Sequence, residues 1–582
     1  MTGEATSPVV PKTLMLAEQY LAGVLVAMLL FFATGIVRAE AASPACPPPG
    51  KDFPPFYEDA GLFEAAIAKV AGQEPSNVKL SGVTVPHHLL ADRLVALGLK
   101  AASGFRYKRI VILSPDHFRR SDRPFATTAR GFDTVLGRVG TDADAVGRLL
   151  AASDRVEESC LFDKDHGVRA LLPFVRHYFP DAQVVPVAIS IKSRRADWDA
   201  LAEALAPLVD DETLVLESTD FSHYLPHHAA RLRDQQTLNV VAAGSLDQLA
   251  MLEQPAHLDS LGALYIQMRL QQQVFGAAPL VIANDNAQQY EAKPSESTTS
   301  YMVILFGRFG PEFNDASPAD VSVYYLAGDT NFGRAMKLAL LNPEAADQVA
   351  DAVLARTKGR PLVVNLEGVI LPNVPEALDD MTLAMPEDLA IEWLKRLNVA
   401  GAGLANNHAY DLGPSGYAET TRALGAAGIR WFGQGEALEL PELDIVGLSD
   451  LDTNGSPQVD LITDALLDRL VREDGTRPVI AFVHWGREYA NEPSGREKAL
   501  VDAMRLRSAT AIVGAHPHVA SKGIVAHGGG DTAEVYSLGN FLFDQTAARG
   551  SSGQLVELRV FGQGTVFVRT VELPNLYDLA GR

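Results

Sequence analysis

Short runs of β-branched and aliphatic residues recur along this chain at spacings that leave room for a helix between them, and a polar cluster closes run after run. Arg109 to Leu113, Val184 to Ile189, Thr213 to Leu216 and Tyr301 to Phe306 read as strands in the first half. Val321 to Ala327, Pro361 to Leu366, Pro478 to Val483 and Ala511 to Val513 do so in the second. Strands alternating with amphipathic stretches predict an α/β fold with mostly parallel sheets. In such sheets ligands bind outside the carboxyl ends of the strands, so the post-strand clusters carry the functional information. The chain of 582 residues is too long for one ordinary domain. A turn-rich, nearly apolar-free connector at 309–320 places the boundary, giving a first domain over 51–308 and a second over 321–582. Leu555 to Val560 and Val566 to Leu573 predict a closing hairpin turned at Gly562-Gln563-Gly564.

Charge and cysteine content narrow the chemistry. With 50 Lys+Arg against 72 Asp+Glu the net charge is −22, which argues against nucleic acid as a partner. Cys46 and Cys160 are too few for a thiolate cluster, so any metal must rest on His, Asp, Glu or Asn. The uncharged stretch from Tyr20 to Val37 would span about 27 Å as a helix. Ala39-Glu40-Ala41 follows it like a small-x-small cleavage site, and Pro44 and Pro47 to Pro49 isolate it from what comes after. Residues 1–50 are therefore expected to be a signal peptide or membrane-anchoring signal plus a Pro-rich linker, and the protein extracytoplasmic.

In the first half the clusters are Pro86-His87-His88, Pro115-Asp116-His117, Asp165-His166 and Asp220-Phe221-Ser222-His223. One histidine in a loop is ordinarily a packing residue. Several at equivalent strand ends point to a shared cleft, and imidazole is the commonest ligand of borderline transition metals. On these residues, with Asp165-His166 running on to Pro173 and with Thr299-Ser300-Tyr301, the sequence resembles the Memo family, known in bacteria as AmmeMemoRadiSam system protein B. That resemblance implies a fold related to class III extradiol dioxygenases. It implies metal ligands at His87 and His117, with Asp220 and His223 in the pocket as catalytic candidates and His166 nearby. The family's third ligand is a cysteine, and here Asp259 stands at that place. Either the site is degraded, or it is a two-His, one-carboxylate triad suited to Fe(II). Ser260 and His257 are the neighbouring alternatives for the third ligand.

Five segments in order mark the second half: Gly328-Asp329, Asn365-Leu366-Glu367, Asn406-Asn407-His408, His484-Trp485-Gly486 and His516-Pro517-His518. Carboxylates, amide oxygens and imidazoles at successive strand ends fit a pair of divalent ions. With Asp411-Leu-Gly413 and Tyr536 to Phe543, they resemble the capsule-type polyglutamate biosynthesis family, CapA, whose fold is that of the calcineurin-like metallophosphoesterases. The resemblance implies an α/β sandwich with Asp329, Glu367, Asn407, His484, His516 and His518 as ligands of two ions (Mn, Zn or Fe), Glu367 bridging, and His408 as general acid. Asn331 stands where a phosphoesterase has histidine, which leaves γ-glutamyl or other peptide-like substrates open. Arg334 and Glu488 read as ion-paired or solvated, and Trp485 as a packing anchor.

The expected protein is thus an exported metal-dependent hydrolase or transferase acting on cell-envelope or capsule polymer or its peptide precursors, held at the membrane if the N-terminal helix is uncleaved. The rival readings are a non-haem-iron redox enzyme working through the Memo-like half, and a non-catalytic polymer-binding module.

Overall fold

The computed structural model describes residues 50–314, 317–379, 381–452, 460–471, 477–545 and 553–581. The expected helix from Tyr20 to Val37 lies outside them, and among the described residues no helix is long and apolar enough to cross a membrane.

The first half is built on strands β1 (Leu80–Val85), β2 (Arg109–Asp116), β3 (Phe125–Thr127), β4 (Val156–Glu158), β5 (Gln183–Ser190), β6 (Thr213–Ser218), β7 (His223–Leu225), β8 (Ala278–Asn286) and β9 (Thr298–Gly307). They form one sheet in the order β4-β3-β5-β2-β6-β1-β9-β7, with β8 also on β9. The middle strands β5, β2, β6 and β1 are parallel. The flanks are antiparallel, at β3 against β5 and at β9 against β1 and β8. The expectation of parallel strands therefore holds at the centre, where near-continuous apolar runs are covered on both faces.

Among the described residues the second half has two six-stranded sheets. In the first of them β10 (Ser322–Thr330) pairs with β11 (Leu362–Leu366), which leads on to β14 (Val399–Gly403) and β15 (Arg430–Phe432). The small pair β12 (Val369–Leu371) and β13 (Ala384–Pro386) lies outside it. On the other side β10 carries the hairpin β22 (Gly553–Val560) and β23 (Val566–Leu573). The other sheet runs β16 (Ala437–Glu439), β17 (Asp444–Ser449), β18 (Val479–His484), β19 (Ala511–Ala515), β21 (Thr532–Val535), β20 (Val525–His527). The sheets face each other through alternate residues: Tyr324, Leu326, Val556 and Leu558 meet Ile445, Ile480, Phe482 and Val513 in one apolar layer. Period-two alternation sends their neighbours Val323 and Tyr325 into the main core on the opposite face.

Residues 52–582 form a single compact unit. The largest apolar core runs from Phe53 to Ala580 without a break between the halves. The connector is correspondingly less detached than its composition suggests. Phe313 is buried against Phe309, and Asn314 exchanges paired 2.9 Å hydrogen bonds with Asn77.

Close backbone approach sets the strand ends of the second half. Gly514, near the end of β19, lies under Tyr536, and a Cβ there would come within 1.8 Å of the Tyr536 carbonyl oxygen and 2.4 Å of Trp485 Nε1. That carbonyl accepts the Trp485 indole N–H at 2.9 Å, so Trp485 is a buried anchor. Gly514→Ala is therefore expected to destabilise the fold by about 1–3 kcal/mol or more, because backbone cannot yield as a side chain would. Denaturant unfolding with an unchanged slope and a lowered midpoint is the check, and a wild-type midpoint would refute it.

Candidate metal centres

The carboxyl ends of β1, β2 and β6 bring His87, His117 and Asp220 together, and a loop opposite supplies Asp259. Hydrogen bonds orient the imidazoles. His117 Nδ1 lies 2.9 Å from Asp165 Oδ1, while Asp165 Oδ2 accepts the His117 amide at 2.9 Å. Burial raises Asp165, yet His117 holds its carboxyl below the ordinary range, so it accepts and Nδ1 of His117 carries the proton. Ser218 Oγ donates to the Gly167 carbonyl at 2.6 Å, which turns its lone pairs to His87 Nδ1 at 3.2 Å. Both rings therefore point Nε2 at the same place. The two Nε2 atoms are 3.0 Å apart, and Asp259 Oδ2 lies 3.1 Å from that of His87 and 3.6 Å from that of His117. Ligand atoms each about 2.1 Å from one ion and near right angles sit about 3 Å apart.

Asp259 Oδ2 is buried with no hydrogen-bond partner of acceptable geometry among the described residues, which a polar atom in a dry site does not ordinarily tolerate. The site thus fits a cation. Asp259 Oδ1 is held by Thr219, and the two alternatives in its neighbourhood are engaged elsewhere. Ser260 caps the next helix by accepting from Ala263 N, and His257 Nε2 lies 2.8 Å from Gln236 Oε1. His166 stacks on His117 with ring centroids 4.1 Å apart, and burial lowers its pKa to about 4. Asp220 accepts the His87 amide at 3.1 Å and braces the ligand loop. His223 turns Nδ1 to the Phe221 carbonyl, so it lines the pocket from its edge.

The second centre forms where β10, β11, β18 and β19 end. Asp329, Glu367 and His484 place one ligand atom each within 4.8 Å of one another, all buried. His518 Nδ1 lies 3.1 Å from Asp329 Oδ2, the His516 ring centroid lies 4.8 Å from that of His484, and Asn407 Oδ1 lies 2.8 Å from His484 Nε2. All six residues expected at this centre are gathered. Among the described residues Glu367 Oε2 and His516 Nδ1 are buried without a partner, so this centre too fits cations. His516 and His518 hold φ of 92° and 58°, left-handed values that side chains other than glycine seldom adopt.

Electrostatics at this centre follow from burial. Desolvation and then Asp329 push Glu367 well above its usual range. Burial works the same way on Asp329, but the His518 ring 3.1 Å away outweighs it and holds the carboxyl well below. Burial and then His516 drive His484 well below the usual imidazole value, and burial lowers His516 to about 4, so both rings are neutral and offer lone pairs.

Several residues of these centres escape sequence reasoning. Asn365 Nδ2 faces Asp329 Oδ1 at 2.8 Å, Glu367 Oε1 at 3.1 Å and His484 Nδ1 at 3.1 Å, and so spaces the carboxylates. Asn540 Oδ1 faces His518 Nδ1 at 2.8 Å, and Asp411 Oδ2 faces His408 Nδ1 at 2.8 Å. Each lies in or beside a motif that sequence singles out, and only side-chain direction was lacking. Asn331 spends its amide on the backbone, donating to the Glu367 carbonyl at 2.7 Å and accepting from Gly333 N at 2.8 Å. Arg334 pairs with Asp544 and lies over the Phe543 ring.

The proton count at the first centre gives a pH dependence. Burial opposes charge on His117, but the hydrogen bond to Asp165 and the negative charges of Asp165 and Asp259 outweigh it and push its pKa up to about 10. Without metal this ring is therefore a cation at neutral pH, and a metal must displace a proton from Nε2. Affinity at this centre should rise about tenfold per pH unit below that pKa and level off near it. A chelator-competition series from pH 6.5 to 8.5 measures the slope, and pH-independent binding would contradict it.

Comparison with known proteins falls on the same two halves. A family model described as Memo-like protein matches residues 58–301, and one described as bacterial capsule synthesis protein PGA_cap matches residues 324–444 and 452–545. The capsule biosynthesis protein CapA of Bacillus anthracis is 29% identical over 276 residues, covering 43% of this chain and 66% of that protein. The PGA biosynthesis protein CapA of Bacillus subtilis is 31% identical over 196 residues, covering 30% of this chain and 51% of that protein. The chain thus spans less than two thirds of the length of either CapA relative. A MEMO1 family protein of Pyrobaculum arsenaticum is 26% identical over 245 residues, covering 40% of this chain and 84% of that protein. The histidine-bearing strand ends of the two halves thus belong to two families joined in one chain, a Memo-like domain within residues 58–301 followed by a capsule synthesis protein domain of the PGA_cap family within residues 324–545.

Proposed function

We propose that the second centre is a two-metal hydrolase or transferase site working on cell-envelope or capsule polymer, of the polyglutamate type or its peptide precursors. The observation that carries this reading is the buried convergence of Asp329, Glu367, His484, His516 and His518, with Glu367 Oε2 and His516 Nδ1 left unpartnered. The names of the CapA relatives supply the polymer class. Two divalent ions in such a site supply Lewis acidity and a water nucleophile at neutral pH. The chain's own part is to place the donors and to exclude water, since the sandwich buries both carboxylates. His408, whose Nδ1 is held by Asp411, is in this reading the general acid that delivers a proton from Nε2 to the leaving group. In this reading the fold is a metallophosphoesterase-type sandwich, and Asn331, turned to the backbone, adds no ligand where the resemblance implies a histidine.

For the Memo-like half, the proposed occupant is a single Fe(II) on His87, His117 and Asp259, in a pocket lined by Asp220 and His223. The three converging ligand atoms support it, and a two-His, one-carboxylate set suits that ion.

Loss of the shared carboxylate in Glu367→Ala is expected to remove both ions of the second centre or leave one loosely held. In His408→Ala metal content should stay while turnover falls about 10²- to 10⁴-fold. Metal analysis, with a phosphodiester and γ- and α-linked glutamyl peptides as substrates, checks both. Equal metal in wild type and Glu367→Ala would remove the two-metal reading, and full activity in His408→Ala would reduce that histidine to a brace.

Export is proposed from the stretch Tyr20 to Val37. Alkaline phosphatase fused after Arg582 should be active in cells, and a silent reporter on a well-expressed fusion would reject it.

A further inference from the structure

The hairpin β22–β23 runs from the second centre to the flank of the first. At its base Gly553 bridges Gly539, next to the Asn540 that faces His518. At its tip Gln563 and Thr565, 7% and 0% exposed, enter the first half. They meet Asp234, a fully buried carboxylate on the helix His227–Ala243. Asp234 Oδ1 accepts from Ser222 Oγ at 2.9 Å and Ser300 Oγ at 2.6 Å, and Oδ2 accepts from Asn284 Nδ2 at 3.1 Å and Gln563 Nε2 at 2.9 Å. Thr565 Oγ1 donates to Asn284 Oδ1 at 2.6 Å. One of the four donors on this carboxylate thus comes from the other half of the chain, and a second is oriented by it.

The two serines bracket the backbone that carries Asp220. Phe221 N donates to the Ser300 carbonyl at 2.9 Å, and Ser300 N to that of Ser222 at 3.0 Å. Asp220 in turn receives the His87 amide on its carboxylate at 3.1 Å and the Asp259 amide on its carbonyl at 3.0 Å. Two of the three residues that converge at the first centre are therefore suspended from a segment that Asp234 anchors.

We infer that Gln563 is a positioning residue for the first centre: the hairpin tip of the capsule-synthesis half sets the spacing of His87 and Asp259 in the Memo-like half through Asp234, Ser222 and Ser300. This rests on the reading of that centre as a metal site. A buried carboxylate that loses one donor recovers it only by shifting its neighbours or admitting water, and either moves the Asp220 segment. Partners that orient ligands are typically worth 10–100-fold in metal affinity, and Gln563 acts from farther out, so about tenfold is expected.

The test uses the full chain and cobalt(II), whose visible absorption reports ligand geometry. The equivalent of cobalt lost in Asp259→Ala defines the first centre. In Gln563→Ala that equivalent should bind about tenfold more weakly, with shifted visible bands, while the second centre keeps its affinity. A general loss of stability would not shift the bands of one centre alone. If Asp259→Ala retains all its cobalt, the metal-site reading fails and takes the inference with it. If Asp259→Ala loses one equivalent and Gln563→Ala keeps wild-type affinity and spectrum, the inference alone is overturned. Should circular dichroism show Gln563→Ala unfolded, Thr565→Val, which removes only a hydroxyl, replaces it. A smaller weakening in the same direction supports the inference, and unchanged first-centre binding overturns it.

Discussion

Asp329 and Glu367 are buried beside one another, and two carboxylates in a dry crevice cannot both stay ionised without compensation. Much of the second half answers that repulsion. His518 stands against Asp329, the Asn365 amide lies between the two acids, and Glu367 is pushed toward its neutral form. Gathering these groups requires β10, β11, β18 and β19 to end together, and close contacts without a Cβ allow it. A side chain at Gly328 would meet the Gly539 carbonyl oxygen at 2.0 Å, just as one at Gly514 would meet that of Tyr536. The arrangement is costly for the fold alone and makes sense as one that divalent cations complete.

The first centre gathers its donors differently. Its ring nitrogens converge because Asp165 and Ser218 engage the opposite side of each imidazole, and Asp259 turns a hard carboxylate oxygen toward them. Ligand softness is one of the few levers by which a protein selects among divalent metals, and two imidazoles with one carboxylate make a donor set without a soft atom.

Much of this was legible in the sequence because strand ends are local events. An apolar run that stops at a polar cluster declares both the strand and the side of the sheet where its cluster lies, so His87, His117, Asp329, Glu367 and His484 could be found without a fold. Side-chain direction was not legible. Asn365 and Glu367, two residues apart on a strand end, share a face and turn out to be partners, while Asn331 turns from the carboxylates to the backbone. The union of the halves was also hidden. A helix carrying Asp234, Gln235 and Asn239 reads as having a solvated face, yet Asp234 and Asn239 are fully buried, and Gln235 and Asn239 bond to residues more than 290 positions away. The polar part of that join leaves no apolar periodicity to betray it.

The left-handed backbone at His516 and His518 sets robustness against chemistry. Glycine or asparagine at either position would relax the chain while discarding an imidazole. Among random variants of this protein, some that gain heat resistance should therefore be those that have emptied the second centre. Selection for a sturdier molecule and selection for a working one would pull these two positions in opposite directions.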